Sequence, residues 1–288
     1  MIRGIVIPII TPFKNDQINF KDYRKLINHY INLGVKAIIP MGTTGEIHSL
    51  RKDEIYEIIE KTIEYVDDRI DIFFGLGGNT NSKVIEQVKN MSKYKFNGFL
   101  ITCPYYIRPN QLGIKEYYKD IAENTEKDII IYNIPYRTGV NIENKTIIEL
   151  SKIPNIVGLK DCCGNILNSL ELLRNKPQGF SILTGEDKVL FQFLVSGYDG
   201  GILSSAHVMT DEFIKMYKYI YENNHKQAAI IWNKLYSICD TLFKEPNPAP
   251  IKYKLFIDGL IESYETRKPI MEVSENLRNE IIKLNIEI

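Results

Sequence analysis

Along most of the chain, short runs of consecutive apolar residues alternate with longer stretches in which apolar residues return every three or four positions. Residues 4–10 read as a buried strand. Tyr23, Leu26, Ile27, Tyr30 and Ile31 then recur at the spacing of one helix face, closed by Gly34 as a left-handed cap. Residues 37–40 are the next strand, and Ile55, Ile58, Ile59, Ile63 and Val66 mark the next helix. Further strands are expected at 72–75, 98–101, 129–132, 156–159, 181–183 and 201–203. Helix faces lie between them, such as Ile114, Tyr117, Tyr118 and Ile121, and later Val189, Leu190, Phe193 and Leu194. Strands separated by crossover helices must run parallel. Eight such units by about residue 205 fit a closed (β/α)8 TIM barrel, with an open doubly wound sheet as the competing architecture.

From about residue 209 the strand signals stop, and helical patterns follow over 211–244, 251–260 and 274–286. Between the first two, Glu245-Pro246-Asn247-Pro248-Ala249-Pro250 denies amide donors and resets the backbone, which makes it a turn between helices. The expected organisation is a barrel catalytic domain over 1–208 and a C-terminal helical extension over 209–288 packed on it. No other repeat and no low-complexity segment is visible.

The 288 residues are 44% hydrophobic and 25% charged, the make-up of an ordinary soluble globular chain. Thirty-six basic side chains balance 36 acidic ones, which removes the electrostatic footprint of a nucleic-acid binder. No apolar run approaches the roughly 18 residues of a membrane span. The N-terminus enters such a run directly, without a charged n-region and cleavage site. A cytoplasmic protein is expected. Cys103, Cys162, Cys163 and Cys239, few and without paired spacing, suit reduced thiols.

In a parallel barrel the loops after the strands form one face, where catalytic groups gather. On that face fall Gly42-Thr43-Thr44-Gly45-Glu46, Pro104-Tyr105-Tyr106, Tyr132-Asn133 with Arg137, Gly158-Leu159-Lys160-Asp161, and Thr184-Gly185-Glu186. Lys160 is the most informative, because an ammonium at the end of an apolar strand is pulled towards a desolvating interior. There it becomes the neutral amine that a carbonyl nucleophile must be. The alternative is a lysine that snorkels to solvent. Thr43 and Thr44 sit in a glycine-bracketed loop that either offers amides and hydroxyls to a carboxylate or is a plain turn. Tyr132 could shuttle protons beside a lysine imine or be a core tyrosine; with 18 tyrosines in the chain, one phenol decides little. Tyr105 and Tyr106 fit surface packing or a subunit contact. Arg137 offers a planar fork for a carboxylate, or is simply solvated.

Other chemistries find no support. The four histidines lack HExxH or paired ligand spacing, and Cys162-Cys163 lacks the CxxC separation, so no metal is expected. Gly75-Leu76-Gly77-Gly78 reaches Thr80 where a dinucleotide fingerprint wants its third glycine. Neither a P-loop nor a GxSxG elbow occurs.

Gly42-Thr43-Thr44-Gly45-Glu46, Tyr132-Asn133-Ile134-Pro135 with Arg137-Thr138-Gly139, Gly158-Leu159-Lys160-Asp161 and Pro246-Asn247-Pro248 together resemble the pyruvate-dependent class I aldolase family of dihydrodipicolinate synthase and N-acetylneuraminate lyase. The resemblance spans essentially the whole chain. The second threonine, Arg137 and the Asn-Pro-Ala-Pro-Ile-Lys stretch look like the synthase branch. The resemblance implies condensation of pyruvate with L-aspartate 4-semialdehyde in lysine and diaminopimelate synthesis. Lys160 would form the imine, and Tyr132 would relay protons with Thr43 and with Tyr106 donated by a neighbouring subunit. Thr44 would hold the pyruvate carboxylate and Arg137 that of the aldehyde, with the Gly185 and Ile202 backbone as floor. It further implies no cofactor beyond the covalent imine and a homotetramer built as a dimer of dimers.

Two stretches depart from the family pattern. Asp161-Cys162-Cys163 stands where Glu-Ala-Thr or Glu-Ala-Ser is common, and Tyr136 replaces a small residue, which could narrow the aldehyde pocket. Where lysine inhibits some synthases, Tyr105 and Asn79 are kept, but Lys52, Ile55 and Lys83 stand at positions that often carry two histidines and a glutamate. Weak or absent lysine feedback is therefore expected. Two alternatives remain: a sister lyase acting on a longer 2-keto acid, and a non-catalytic barrel that binds a keto acid.

Overall fold

Eight short strands, buried on both faces and therefore nearly continuous in apolar sequence, carry the architecture in this computed structural model, which describes residues 1–284. They are β1 (Gly4–Ile7), β2 (Ala37–Ile38), β3 (Asp71–Leu76), β4 (Gly98–Thr102), β5 (Asp128–Asn133), β6 (Ile156–Asp161), β7 (Ser181–Thr184) and β8 (Gly200–Ile202). Each pairs in parallel with its neighbours in the chain. β8 returns to β1, with Gly4 opposite Gly200 and Val6 opposite Ile202, so the sheet closes into a barrel. The open doubly wound alternative is excluded.

The crossovers are helices α1 (Phe20–Leu33), α2 (Lys52–Val66), α3 (Asn81–Met91), α4 (Gln111–Ala122), α5 (Asn144–Leu150), α6 (Ile166–Arg174) and α7 (Leu190–Ser196). Helix α1 shows why these segments stop where they do. Asn19 caps its first turn by accepting from the Asp22 amide, and Gly34 ends it at φ 92°, a conformation that costs glycine nothing. Its face Tyr23, Leu26, Ile27 and Tyr30 is buried against the barrel.

Inside the barrel, inward positions of the strands build a separate core of Val6, Ala37, Phe73, Leu100, Ile130, Leu183 and Ile202. Tyr132 and Cys162 sit at one end of the same cluster.

After β8 come α8 (Thr210–Tyr221), α9 (His225–Leu242), α10 (Ala249–Ile257) and α11 (Glu275–Lys283). Helix α8 is the eighth member of the outer ring: its Phe213, Met216 and Ile220 enter the main core, and Tyr217 donates to the Asp199 carbonyl. The segment expected as one helix over 211–244 is two, because Glu222-Asn223-Asn224 is a polar break. Asn223 is left-handed there, and Asn224 caps α9 by accepting from the Gln227 amide. Helix α10 begins at Ala249, two residues before the expected start, since Pro250 in a first turn lacks only an amide that would have no partner. The last helix was expected to reach 286; residues 285 and 286 lie outside the described residues. A small hairpin, Phe13–Lys14 with Gln17–Ile18, turns through Asn15 and Asp16, both left-handed. The strand pattern had not indicated it.

Candidate active site

Lys160 lies on β6 with its side chain inside the barrel and 5% of its surface exposed. Strand alternation then sends Asp161 outward and Cys162 inward again. Asp161 accepts from Ser169 Oγ at 2.6 Å, from the Tyr198 hydroxyl at 2.8 Å and from the Cys163 amide at 3.0 Å. It is a buried anchor joining the end of β6 to α6 and β8. The departure that touches the site is therefore Cys162, which packs in the inner core with Tyr132.

The register places Tyr132 of β5 directly beside Lys160, and Lys160 Nζ lies 4.3 Å from the centre of the Tyr132 ring. Burial pulls the Lys160 amine below the usual lysine range, opposed by the nearby Cys162, Asp187 and Glu186. Burial likewise raises both of those carboxyls, Asp187 to about 6 even though it accepts from the Ser205 amide at 2.7 Å. Tyr132 is raised well above the usual phenol range by the same cause, so it stands as a proton-bearing phenol against the amine. Gly185, which begins the loop after β7, passes close to Lys160 and Cys162. A Cβ there would collide with Lys160 Cε and Cys162 Sγ.

The Gly42–Glu46 loop follows β2. Its hydroxyls differ: Thr44 is buried and Thr43 half-buried. Thr44 Oγ1 lies 2.8 Å from Ser204 Oγ, and Asn247 Nδ2 donates to it at 2.9 Å. At the loop's end Glu46 adopts φ 53°, unusual for a residue with a side chain. It is fixed from the C-terminal helices: Lys252 Nζ lies 2.5 Å from its Oε1, and the Arg267 amide donates to Oε2 at 3.1 Å. The first contact joins two charges without hydrogen-bond alignment, since Glu46 Oε1 meets no donor at hydrogen-bonding angles. Burial pushes Lys252 down to about 8, with Glu46 pulling the other way. Phe13 separates this amine from the Arg267 guanidinium, with the cations 4.3 and 4.2 Å from its ring centre.

A cavity of about 870 Å³ opens on the same barrel face. Thr43, Tyr106, Tyr132 and Arg137 are on its wall, and Lys160, off that wall, lies beside Tyr132. Thr44, Gly185 and Ile202 are off that wall; Ile202 is fully buried in β8. Tyr106, left-handed at φ 72°, is 87% exposed at the outer lip, its amide held by the Thr138 carbonyl at 3.2 Å. Arg137 belongs to the helical turn Pro135–Thr138, and its guanidinium carbon is 5.7 Å from the centre of the Tyr136 ring. Tyr136 is 65% exposed and lines the cavity beside Arg137. The cavity continues along α2 and α3, where Lys52, Ile55, Lys83 and Tyr105 line it together with His48 and Glu86; Asn79 is not on this wall. Among the described residues no group of three or more His, Cys, Asp or Glu is placed to hold a metal ion. No described helix is long and apolar enough to cross a membrane.

Sequence reasoning missed Ser204, Asn247, Lys252 and Arg267 as partners of the Thr-Thr-Gly-Glu loop. The Asn-Pro-Ala-Pro-Ile-Lys stretch was visible, but its partners lie some 200 residues upstream.

The profile of the dihydrodipicolinate synthetase family matches residues 1–286. The 4-hydroxy-tetrahydrodipicolinate synthase 2 of Clostridium acetobutylicum is 46% identical, covering 98% of this chain and 99% of its own. The dihydrodipicolinate synthase structure from Thermotoga maritima superposes with a TM-score of 0.96 at 32% identity, over 100% of this chain and 98% of that one. The chloride-inhibited dihydrodipicolinate synthase from Acinetobacter baumannii, complexed with pyruvate, superposes with a TM-score of 0.95 at 31% identity, over 100% of this chain and 99% of that one.

Proposed function

The chain belongs to the dihydrodipicolinate synthetase family, and we propose that it condenses pyruvate with L-aspartate 4-semialdehyde to 4-hydroxy-tetrahydrodipicolinate through an imine on Lys160. The observation that carries this reading is the buried amine at the end of β6, held 4.3 Å over the Tyr132 ring with its basicity lowered by burial. An amine in that state attacks the pyruvate ketone, and loss of water leaves a protonated imine. That imine is the electron sink for removal of a methyl proton, and the resulting enamine attacks the aldehyde carbon. Transimination by the aldehyde's own amino group, followed by ring closure, returns the lysine.

Tyr132 takes the proton-relay role, because burial raises its pKa and keeps the phenol protonated between transfers. Thr43, on the same cavity wall, links that phenol to Tyr106, which a second copy of the chain donates within a homotetramer. Thr44 binds the pyruvate carboxylate. Arg137 at the cavity mouth binds the carboxylate of the second substrate, where its planar fork can donate to both oxygens. Gly185 and Ile202 form the floor. The imine supplies the chemistry that a cofactor would otherwise bring, and a biosynthetic enzyme of this kind works in the cytoplasm. The domain organisation that goes with this reading is a catalytic barrel with a C-terminal helical extension, the expected boundary at 208 moving past α8, which completes the ring.

The test is to incubate the protein with pyruvate and borohydride and measure intact mass, with Lys160→Ala as control, then to offer a panel of aldehydes in a coupled assay. A reduced pyruvate adduct on Lys160 and preference for aspartate semialdehyde are expected. No adduct would leave only a keto-acid-binding barrel; an adduct with preference for a longer aldehyde would make it a sister lyase.

A further inference from the structure

Three segments far apart in the chain meet at one hydroxyl. Thr44 Oγ1 receives the Asn247 amide at 2.9 Å and lies 2.8 Å from Ser204 Oγ, with all three side chains buried. A threonine hydroxyl has one proton to give and two lone pairs to offer. Asn247 Nδ2 occupies one lone pair permanently. The direction of this bond follows from counting what is left over. As placed, the amide leaves one buried acceptor, Asn247 Oδ1, without a partner. Turned over, it would leave the amide nitrogen and both its protons facing no acceptor, and buried orphan donors are rarer than under-satisfied carbonyls.

Ser204 is the adjustable member, because its hydroxyl can either accept the Thr44 proton or turn and donate to the remaining lone pair. When Ser204 donates, Thr44 is an acceptor twice over, and its own proton has nowhere to go but outward to a ligand oxygen. When Ser204 accepts instead, one Thr44 lone pair is left facing the ligand, so a carboxylate, which needs a donor, selects the state in which Ser204 donates.

We propose that Asn247 is a positioning residue that holds one lone pair of the Thr44 hydroxyl, with Ser204 as its adjustable neighbour, so that Thr44 serves as a donor to the carboxylate of the 2-keto acid. The proposal rests on the reading that Lys160 forms an imine with pyruvate. It adds that the selectivity for a carboxylate at this point is set by Asn247 of the C-terminal extension, which lies off the cavity wall.

The experiment compares Asn247→Ala, Asn247→Asp and Ser204→Ala by steady-state kinetics and by the pyruvate dependence of borohydride trapping. Loss of the fixed donor in Asn247→Ala should raise the KM for pyruvate about ten-fold, the size of one buried hydrogen bond, with kcat changed less than about three-fold. Asn247→Asp keeps the shape but turns the partner into a pure acceptor that captures the Thr44 proton, so KM should rise by about 100-fold or more, roughly the weight of a hydrogen bond to a charged group. Ser204→Ala removes the competitor for that proton and should leave KM within about three-fold of the parent or below it. An unchanged KM in Asn247→Ala, equal effects of Ala and Asp at 247, or a Ser204→Ala defect as large as that of Asn247→Ala would overturn the proposal. Should Asn247→Ala not fold, the isosteric Asn247→Asp carries the comparison against Ser204→Ala. A parent protein that forms no pyruvate adduct overturns the underlying reading instead, so the two failures are separable.

Discussion

Lys252 Nζ lies 2.5 Å from Glu46 Oε1, and neither side chain exposes any surface to solvent. The pair ties helix α10 to the end of the Thr-Thr-Gly-Glu loop, so the helical extension is part of how the barrel's face is shaped. Removing one partner strands the other as a buried charge, which costs about 3–5 kcal/mol. Lys252→Met should therefore lower unfolding stability in urea by that order. The double variant Lys252→Met/Glu46→Gln should recover part of the loss, because no unpaired charge is left behind. If the single variant costs under about 1 kcal/mol, the ion pair is not what holds the loop.

Gly185 predicts a defect confined to the chemistry. Because a Cβ there would run into Lys160 Cε and Cys162 Sγ, Gly185→Ala should displace the amine by a fraction of an ångström to an ångström. A shift of that size costs on the order of 100-fold in rate. Circular dichroism and melting temperature should change little, since the clash falls on side-chain ends and not on the strand. Adding Cys162→Ala should restore some activity by returning room. A double variant no better than the single would mean that the backbone moves instead.

Arg137 sits on the cavity wall while Lys160 is off it, beside Tyr132, so the two substrates should be separable by mutation. Arg137→Ala is expected to leave pyruvate trapping unchanged and to lower kcat/KM for aspartate semialdehyde by roughly 10- to 100-fold, the value of a charge-assisted hydrogen bond. Equal losses in trapping and turnover would place Arg137 on the first substrate instead.

The barrel was legible because parallel strands are buried on both sides and write themselves as apolar runs; all eight appear where those runs stand. What blurred was their ends. The run of β6 was expected to end at Leu159, yet the strand continues through Lys160 and Asp161, which pair with Tyr132 and Asn133 of β5. Functional side chains interrupt the hydrophobic signal at the place where the strand delivers them. The break between α8 and α9 carried a readable cue in Asn223-Asn224 that the flanking helical periodicity masked. The site's inner members, Lys160, Tyr132 and the two threonines, could be ordered by strand position alone. Their supports could not: nothing local in Asn247, Ser204 or Lys252 announces a partner about 160 to 200 residues away. The close passage of Gly185 against Lys160 is likewise a property of the closed barrel.

The arm of the cavity along α2 and α3 carries Lys52, Lys83 and His48 against the single carboxylate of Glu86. A cationic amino acid meets like charge there, and such juxtapositions disfavour binding. L-lysine should bind with a Kd weaker than about 1 mM and leave steady-state rates unchanged below that concentration. Inhibition at micromolar lysine would show that Glu86 and neighbouring carbonyls outweigh the two ammonium groups.

His207 couples the loop after β8 to pH. Its Nδ1 donates to the Ser204 carbonyl at 2.8 Å, and its Nε2 accepts from the Ile10 amide at 3.2 Å, so both ring nitrogens are committed in the neutral form. Protonation would set a second N–H against the Ile10 donor in a fully buried site, and burial pushes the imidazole down to about 4. Between pH 6.5 and 4 the unfolded chain takes up this proton and the folded chain does not, so folding stability falls as the pH is lowered through that window, by about 3 kcal/mol from this group. Asp187 works in the opposite direction. Its carboxyl is raised to about 6 and takes a proton in the folded state first, which adds stability between about pH 6 and 3.8. The net slope is therefore shallow, and the two contributions separate only by mutation. His207→Gln keeps a donor and an acceptor but does not titrate. Its stability in urea should thus rise relative to that of the parent as pH drops from 7 to 4. Parallel pH profiles for the parent and His207→Gln would show that the imidazole takes up its proton as readily in the fold as in the unfolded chain, and that burial does not hold it neutral.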